Sequence, residues 1–197
     1  MKPYKQFVDE KIALISKADP IIDMGGGTPF QKWMKEYEVL FKGSNYKTMD
    51  YDAKTNPDIV GDIHDLPLED ASVGAIICAH VLEHVKNPHR AVDEMYRVLK
   101  PGGMLFIYVP STHPYHARPG WYPDFWRFYR ETLEELCRDF SSVEIRQKDG
   151  YFMALSTFIP FRRKILVPLQ FLTDLLDKLF ESRKSPTTDG YFAFAVK

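Results

Sequence analysis

The sequence contains little cysteine: Cys78 and Cys137 are the two in 197 residues. A domain held together by disulfides needs a much higher cysteine density, so that class of small secreted scaffold is excluded. One thiol falls in a predicted strand and the other on the apolar face of a predicted helix. We therefore expect both to be reduced residues of the core, and a cytoplasmic location is the default that follows.

An excess of one charge and a long apolar run are also missing. The 26 basic and 27 acidic side chains nearly cancel, which argues against a nucleic-acid partner bound through a broad basic surface. Uncharged apolar stretches such as residues 151–161 and 165–173 are shorter than the roughly 20 residues that span a bilayer. The first residues mix charged and apolar side chains, so we expect neither a signal peptide nor an integral membrane helix.

What the sequence does contain is an alternation of short buried strands with amphipathic helices. A length of 197 residues with 45% hydrophobic side chains is typical of one core, so we predict a single domain over 1–197. Strands are predicted at residues 21–22, 46–49, 73–79 and 104–109. Their alternation with helices favours an α/β fold built on a Rossmann-like, doubly wound, mostly parallel sheet.

Two helices carry end signals in the sequence. Asn87 followed by Pro88 is typical of an N-cap and a first helical position, and Lys-Pro-Gly-Gly at residues 100–103 ends that helix. Thr132 and Glu135 have the spacing of a capping box ahead of an apolar stripe. This spacing predicts the start of a second helix.

The last third of the chain combines two strands with a helical insertion. Residues 143–147 and 191–196 predict an antiparallel pair at the sheet edge, and residues 185–190 predict an exposed loop. The insertion, at about 151–188, has an apolar stripe that consists of Ile165, Leu166, Leu169, Leu172, Leu176, Leu179 and Phe180. Its role stays open between a lid over the acceptor, a homodimer interface and a peripheral membrane contact. Acidic residues on its polar face, Asp177 among them, favour packing against the protein or its copy.

A glycine-rich turn follows the first predicted strand, where Asp23 precedes Gly25, Gly26 and Gly27. Residues without a Cβ let backbone N–H groups approach a ligand closely. A nicotinamide-binding loop begins in the same way, but its third glycine would stand at Phe30. An acid at position 23 would also repel a pyrophosphate, and it suits a cationic ligand instead.

This turn and the motifs after it resemble those of class I S-adenosylmethionine (SAM) dependent methyltransferases of the small single-domain type. The motifs that carry the resemblance lie at residues 23–28, 49–52, 61–67, 81–85 and 97–103. The resemblance implies a seven-stranded sheet with an antiparallel last strand, an enzyme that transfers methyl groups, and SAM as the cofactor. SAM carries an ammonium and a sulfonium, which agrees with a carboxylate at Asp23.

The resemblance also assigns cofactor contacts. Asp50 would bind the ribose hydroxyls with Tyr51 beside it, and Asp52 competes for that role. Asp62 would bind the adenine amino group, with Ile63 beside the ring. The expected contacts are completed by Asp23, Gly25, Gly26, Gly27 and Ala79. About a dozen residues separate the two strand-end acids, so the helix usually found between them must be short.

Histidines gather after the fourth and fifth strands, where a doubly wound sheet binds its ligands. Methyl transfer is an in-line displacement, so the enzyme mainly aligns the reactants, and a base is needed only when the acceptor loses a proton. Histidine can accept a hydroxyl proton near neutrality. The candidate bases are His84, His113 and His116, of which the last two are preferred, and a loop or cap role for each stays open.

The same histidines allow a second interpretation, a divalent metal site. His80, Glu83 and His84 could share one face of a helix start, and His113 could complete the site. Some metal-dependent O-methyltransferases carry Glu-x-x-Glu-His at this point, which residues 80–84 resemble with His80 in place of the first Glu. Leu-Glu-His also occurs in metal-free relatives, so the sequence predicts no metal and keeps this set as the alternative.

Residues 110–128 are rich in proline, histidine and aromatic residues with interleaved Arg and Asp. Flat apolar faces beside hydrogen-bonding groups are what recognition of a sugar ring requires. The segment resembles methyltransferases linked to polysaccharide or glycolipid synthesis, which implies a sugar hydroxyl as the acceptor. The predicted substrate contacts are His80, Tyr115, Trp121, Tyr122, Trp126 and Arg127. Packing of this loop against the sheet edge is the alternative.

The predicted function is therefore SAM-dependent O-methylation of a sugar or glycan precursor, with a small molecule or saccharide as the partner. Two alternatives stay open: a metal-assisted O-methyltransferase acting on a phenolic or natural-product acceptor, and a SAM-binding partner subunit without activity. A nicotinamide oxidoreductase is disfavoured by Asp23 and Phe30.

Overall fold

The computed structural model describes residues 3–25, 27, 29–30, 32–159 and 166–197. Within them lies a seven-stranded sheet with the order β3-β2-β1-β4-β5-β7-β6. The strands are β1 (Ile21–Met24), β2 (Tyr46–Asp50), β3 (Ile59–Val60), β4 (Val73–Ala79), β5 (Leu99–Pro110), β6 (Ser142–Gln147) and β7 (Gly190–Val196). Strand β7 runs antiparallel to both neighbours, and the other pairs are parallel. The predicted doubly wound sheet with an antiparallel last strand is confirmed.

Helices cover both faces of the sheet. The α-helices of the described residues are α1 (Pro3–Ile15), α2 (Pro88–Val98), α3 (Arg130–Leu136), α4 (Tyr151–Ser156) and α5 (Leu166–Leu179). A 3₁₀ segment at Lys32–Phe41 follows the glycine-rich turn, and shorter 3₁₀ turns lie at Ala53–Thr55, Leu82–His84 and Ser182–Lys184. The connection between β2 and β3 therefore contains a single short turn, in agreement with the expected loss of a helix there.

The core has two layers because successive side chains of a strand point to opposite faces. In β4, Ile76 packs with Met95 of α2 on one face. Its neighbour Ile77 packs with Phe106 and with Ile12 of α1 on the other. All are fully buried, and each such side chain stabilises the fold by roughly 1.5–3 kcal/mol. This double burial fixes the strands and therefore the loops at their carboxyl ends.

Both cysteines are free and buried, as the sequence predicts. Cys78 lies in β4 and Cys137 ends α3. Burial raises the pKa of Cys137 to about 12, so its thiol stays protonated at neutral pH. Among the described helices, none has the length and apolar character needed to cross a membrane.

The start of α2 follows its sequence signal and the start of α3 does not. The Asn87 side chain accepts a hydrogen bond from the N–H of Arg90 at 3.0 Å, and a proline follows in the first turn. The predicted capping box at Thr132 is wrong, because α3 begins at Arg130 and is preceded by Tyr129, which makes no side-chain cap. Thr132 lies inside the helix, where its hydroxyl cannot serve as the N-cap.

The helical insertion exists, but its buried face differs from the prediction. Asp177 of α5 is 1% exposed and accepts hydrogen bonds from the N–H groups of Phe152 at 2.9 Å and Met153 at 3.3 Å, so it caps α4. Its predicted place on a solvent-facing side is therefore wrong. Ile165 lies outside the described residues. Members of the predicted apolar stripe that face solvent are Leu172 (50% exposed), Leu179 (68%) and Phe180 (68%).

Candidate active site

The loops that follow β2, β4 and β5 meet at one edge of the sheet. The Tyr51 hydroxyl, after β2, donates a hydrogen bond to the carbonyl of Trp121 in the loop after β5. The N–H of Phe125 in that loop donates to the carbonyl of Glu83, after β4, at 2.8 Å. The residues predicted to contact the cofactor and those predicted to contact the acceptor are therefore neighbours.

The turn after β1 favours glycine at two positions. Gly25 has a φ of +67°, and a Cβ there would lie 2.6 Å from Cγ2 of Val81. Gly27 has a φ of +41°, and its Cβ would lie 3.3 Å from the Cβ of Thr55. Both values of φ are in the left-handed region that disfavours other residues. The turn therefore requires glycine at position 25, because a side chain there would collide with Val81, and favours it at position 27. Gly26 lies outside the described residues.

Asp23 places a carboxylate inside the sheet, just before this turn. Its side chain is on β1, the residue is 8% exposed, and the Tyr46 hydroxyl donates a hydrogen bond to Oδ2. Burial raises the pKa of Asp23 to about 6 despite that hydrogen bond, which acts in the opposite direction. A nearby cation would stabilise the ionised form of this buried carboxyl group, because the positive charge offsets the cost of burial.

The two acids after β2 have different local roles. Asp52 Oδ1 accepts a hydrogen bond from the N–H of Lys54 at 2.9 Å and so caps the turn at Ala53–Thr55. Asp50 is the last residue of β2, and its Oδ1 accepts from the N–H of Asp52 at 3.0 Å. Because the Asp52 side chain already caps this turn, Asp50 is the better candidate for the ribose ligand.

The adenine candidates lie after β3. Asp62 is exposed, and its Oδ1 accepts from the N–H of His64 at 2.9 Å and lies 2.7 Å from Nδ1 of the same ring. These hydrogen bonds lower the pKa of Asp62, so it stays ionised. Ile63 is partly buried against the core, and Ala79 ends β4. An exposed acid beside an apolar side chain agrees with the contact predicted for adenine.

On the acceptor side, Glu83 is enclosed by imidazoles. Its carboxylate is 0% exposed, and Oε1 lies 3.2 Å from Nδ1 of His80, 3.9 Å from Nε2 of His84 and 3.9 Å from Nε2 of His116. One ligand atom from each of Glu83, His84 and His116 lies within 4.8 Å of the others. The predicted metal set changes accordingly, since His116 stands where His113 was expected and His80 is not in the cluster.

His113 turns instead to a buried acid. Its Nδ1 lies 2.7 Å from Oδ1 of Asp189, and Lys148 pairs with the other carboxylate oxygen. Burial opposes ionisation of Asp189, but the His113 hydrogen bond and the Lys148 charge outweigh it and lower its pKa. Because an ionised carboxylate only accepts, Nδ1 of His113 carries the hydrogen and Nε2 of the neutral ring is the acceptor.

Asp189 and Lys148 are the functional side chains that the sequence did not reveal. Residues 185–190 are predicted as an exposed loop, yet Thr188 is 0% and Asp189 is 5% exposed. Thr188 is fixed by Asp149, whose Oδ1 accepts from its hydroxyl at 2.9 Å. The position directly before the last strand is the signal that could have identified Asp189, because an antiparallel β7 starts at the edge where β5 ends.

Arg127 organises the loop after β5, which differs from its predicted contact with substrate. Its guanidinium binds Asp124 with both terminal nitrogens, at 2.6 and 2.7 Å. It also donates to the carbonyls of His113 at 2.7 Å and Pro114 at 3.0 Å. A bidentate Arg–carboxylate pair is a strong geometric clamp. The position of His113 therefore depends on it.

The aromatic residues of this loop divide into packed and exposed ones. The Tyr122 ring lies 4.3 Å from that of His84, and Trp126 donates its Nε1–H to the carbonyl of Val85 at 2.9 Å. Tyr115 is 78% exposed and Trp121 is 65% exposed. Tyr122 and Trp126 therefore contact neighbouring residues of the protein, while Tyr115 and Trp121 stay predicted substrate contacts.

Comparisons with known proteins agree with this architecture. Residues 24–107 match the family model described as a methyltransferase domain. The demethylmenaquinone methyltransferase of Chlamydia pneumoniae is 28% identical over 49% of this chain and 50% of its own length. The chain spans half or less of the length of the curated relatives that it matches.

Solved structures share the fold along nearly the whole chain. A SAM-dependent methyltransferase from Archaeoglobus fulgidus superposes with a TM-score of 0.65 and 15% identity, over 98% of this chain and 92% of that one. Phosphoethanolamine N-methyltransferase 2 of Haemonchus contortus, solved in complex with SAM, gives a TM-score of 0.56 and 15% identity over 98% and 52% of the two chains. At this level of identity the likeness shows the fold.

Proposed function

Residues 24–107 match a methyltransferase domain, and from that premise we propose that this chain is a class I SAM-dependent methyltransferase that methylates a hydroxyl of a sugar or glycan precursor. The family and its cofactor, SAM, agree with the prediction from the sequence. The reaction of this chain and the identity of its acceptor are the proposal.

The residues at the ends of β1, β2 and β3 fit the cofactor. The turn at Gly25 and Gly27 has the left-handed backbone that glycine adopts, and Asp23 provides a carboxyl group that an ammonium would hold ionised. Asp50 would bind the ribose hydroxyls, and Asp62 the adenine amino group. When bound, SAM supplies an electrophilic methyl group on a sulfonium with a good leaving group.

The proposal that the acceptor is a hydroxyl rests on one observation, the contact between His113 and Asp189. The 2.7 Å contact fixes the ring and its tautomer, so that Nε2 can accept a proton. A thioether or an amine with a lone pair needs no such base to be methylated, whereas a hydroxyl gains from losing its proton as the new bond forms. An oriented histidine after β5 therefore favours a hydroxyl acceptor.

The exposed aromatic side chains support a saccharide as the carrier of that hydroxyl. Tyr115 and Trp121 present most of their surface to solvent in the loop that also holds His113. Flat apolar rings beside hydrogen-bonding groups suit the faces of a sugar ring. The hydrogen bond from Tyr51 to Trp121 ties these rings to the strand end where the cofactor ribose is expected.

An acceptor screen tests the proposal. The purified chain and SAM are incubated with sugars, nucleotide sugars, small phenols and amines, and addition of one methyl group is followed by mass spectrometry. We expect methylation of a sugar hydroxyl, and we expect His113→Gln to lower turnover by about 10²–10⁴-fold, the range for a lost general base. Affinity for S-adenosylhomocysteine should not change, since His113 does not belong to the cofactor residues.

His89→Gln is the matched control, because His89 is an exposed histidine of α2. Its turnover should equal that of the unmodified chain. The proposal is contradicted if only amines or phenols accept the methyl group, or if His113→Gln keeps full turnover on a sugar.

A second copy of this chain is the partner we propose for α5. Its exposed apolar face, here called the α5 face, consists of Phe171, Leu172, Leu175 and Leu179. A contiguous apolar surface of this kind marks an interaction site. The acidic Asp174 and Glu181 are on the same segment, and anionic lipid headgroups would repel them, which favours a protein partner over a membrane surface.

A further inference from the structure

A buried carboxylate at the acceptor side has an oxygen without a partner. Glu83 is 0% exposed, and its Oε2 makes no hydrogen bond with any group of the described residues. The other oxygen, Oε1, has His80 at 3.2 Å, while the ring nitrogens of His84 and His116 stand at 3.9 Å, too far for hydrogen bonds. Burying an ionised carboxylate is costly unless a positive charge compensates it.

The tautomers of the two histidines determine what faces this carboxylate. Nδ1 of His84 lies 2.6 Å from the carbonyl of Pro123, which can only accept, so Nδ1 carries the hydrogen. Nδ1 of His116 lies 3.1 Å from the carbonyl of Pro114 and 3.3 Å from Oδ2 of Asp124, again two acceptors. In the neutral rings both Nε2 atoms therefore present lone pairs toward Glu83.

Three acceptor atoms thus converge with no donor hydrogen between them. Two imidazole lone pairs and a carboxylate oxygen repel one another unless a proton or a cation lies between them. We propose that Glu83, His84 and His116 bind a divalent transition-metal ion.

The geometry is close to that of a bound ion. Zinc lies about 2.0–2.2 Å from imidazole nitrogen and carboxylate oxygen, so tetrahedral ligand atoms stand about 3.3 Å apart. The two 3.9 Å separations need to contract by about 0.6 Å each, and the ligand atoms of His84 and His116, which lie within 4.8 Å of each other, must approach as well. The far ring nitrogens, Nδ1 of each histidine, face two carbonyls and the Asp124 carboxylate as acceptors. Such outer hydrogen bonds orient metal-binding histidines.

The ligand set selects the kind of ion. Two imidazoles and one carboxylate suit Zn²⁺, Fe²⁺ or Co²⁺, whereas Mg²⁺ and Ca²⁺ prefer sets made of oxygen. Three protein ligands leave a coordination position open. If the proposed function holds, that position is available to the acceptor hydroxyl, and His113, whose ring lies 5.2 Å from that of His116, remains as the base.

The test uses the metal alone. The chain is stripped with a chelator, dialysed and titrated with Zn²⁺ by calorimetry, and Co²⁺ is followed by its visible absorption, which reports ligand geometry. We expect one ion per chain and a loss of affinity of more than about 100-fold in Glu83→Gln and in His116→Gln, since even outer hydrogen bonds to ligands are worth 10–100-fold. Circular dichroism verifies that each variant is folded.

His89→Gln is again the control and should bind the ion as the unmodified chain does, with the same Co²⁺ spectrum. Two variants are used because Glu83 is fully buried and its replacement alone could unfold the chain, while His116 is partly exposed. The site is overturned if the stripped chain binds no Zn²⁺, or if binding survives in a folded His116→Gln.

The outcome for the metal is separable from that for the proposed function. A chain that methylates sugars but binds no ion disproves the metal site alone. A chain that binds the ion through Glu83 and His116 but methylates no sugar disproves the proposed acceptor alone.

Discussion

At the scale of single residues, we propose that Asp23 links the protonation of the protein to the binding of its cofactor. The carboxyl group is enclosed by the sheet and has an elevated pKa of about 6 because burial disfavours its charge. The ammonium of a bound cofactor would favour the charged form, so ligand binding and loss of a proton are coupled. Since its ordinary value is 3.8, the ligand-free protein loses stability from this group as the pH rises from about 4 to 6.

We therefore expect the affinity for S-adenosylhomocysteine to rise as the pH increases from 5 to 7, by at most about tenfold per pH unit below the pKa. Below pH 6 the group is protonated and must release its proton before it can pair with the ligand. Asp23→Asn should bind more weakly at pH 7 and lose this dependence. Calorimetric titrations at several pH values measure both. Parallel pH profiles for the two proteins would show that Asp23 does not face the cofactor.

At the scale of structural elements, the loop after β5 depends on one ion pair. Asp124 is fully enclosed, receives both terminal nitrogens of Arg127, and also accepts from the N–H of His116 at 2.8 Å. These interactions, led by the Arg127 hydrogen bonds, lower the pKa of Asp124 to about 2. The loop that carries His113 and His116 is therefore held from inside by an ion pair, of which Arg127 was predicted to be a substrate contact.

Asp124→Asn should lower the melting temperature at pH 7, because a lowered pKa means that the ionised carboxylate stabilises the folded state. That contribution is complete above the ordinary value of 3.8 and disappears as the pH falls through about 2. The difference from the unmodified chain should thus narrow between pH 4 and pH 2 in thermal scans followed by circular dichroism. A difference that is independent of pH would indicate lost packing instead of a lost charge.

At the scale of the whole molecule, the α5 face is the apolar surface that the fold leaves uncovered. Asp177 and Thr173 of the same helix point inward and are at most 5% exposed, so the apolar side chains are directed outward. Phe171 is 75% exposed. Roughly 25 cal/mol is gained for each Å² of such surface that is removed from water, which is the driving force for self-association.

We expect the chain to dimerise in a concentration-dependent manner in sedimentation equilibrium, and Phe171→Asp with Leu179→Asp to make it monomeric. Val39→Asp is the matched control, since Val39 is 62% exposed on a different part of the surface. A monomer at every concentration, together with flotation of the unmodified chain on anionic liposomes, would favour the membrane contact and contradict the dimer.

The fold was predictable because its signals are local. The short apolar run of β4 and the Asn87 cap of α2 depend on neighbouring residues, and each is present in the structure. The start of α3 was not predictable, because Thr132 and Glu135 have the spacing of a capping box while the chain enters the helix three residues earlier. Similarly, the sequence predicts that Asp177 is a surface acid, and only the position of α4 beside α5 makes it a buried cap.

In the candidate site, too, some features depend on neighbouring residues and others on distant segments of the chain. By itself the sequence determined the class of the fold, the glycine turn and the strand ends at which its acids and histidines lie, because these depend on short-range geometry. Only the tertiary structure decided that His113 pairs with Asp189, 76 residues away, and that His116 is the histidine that joins Glu83 and His84. Such pairings depend on how loops from distant segments fold over one sheet edge, and no local spacing encodes those distances.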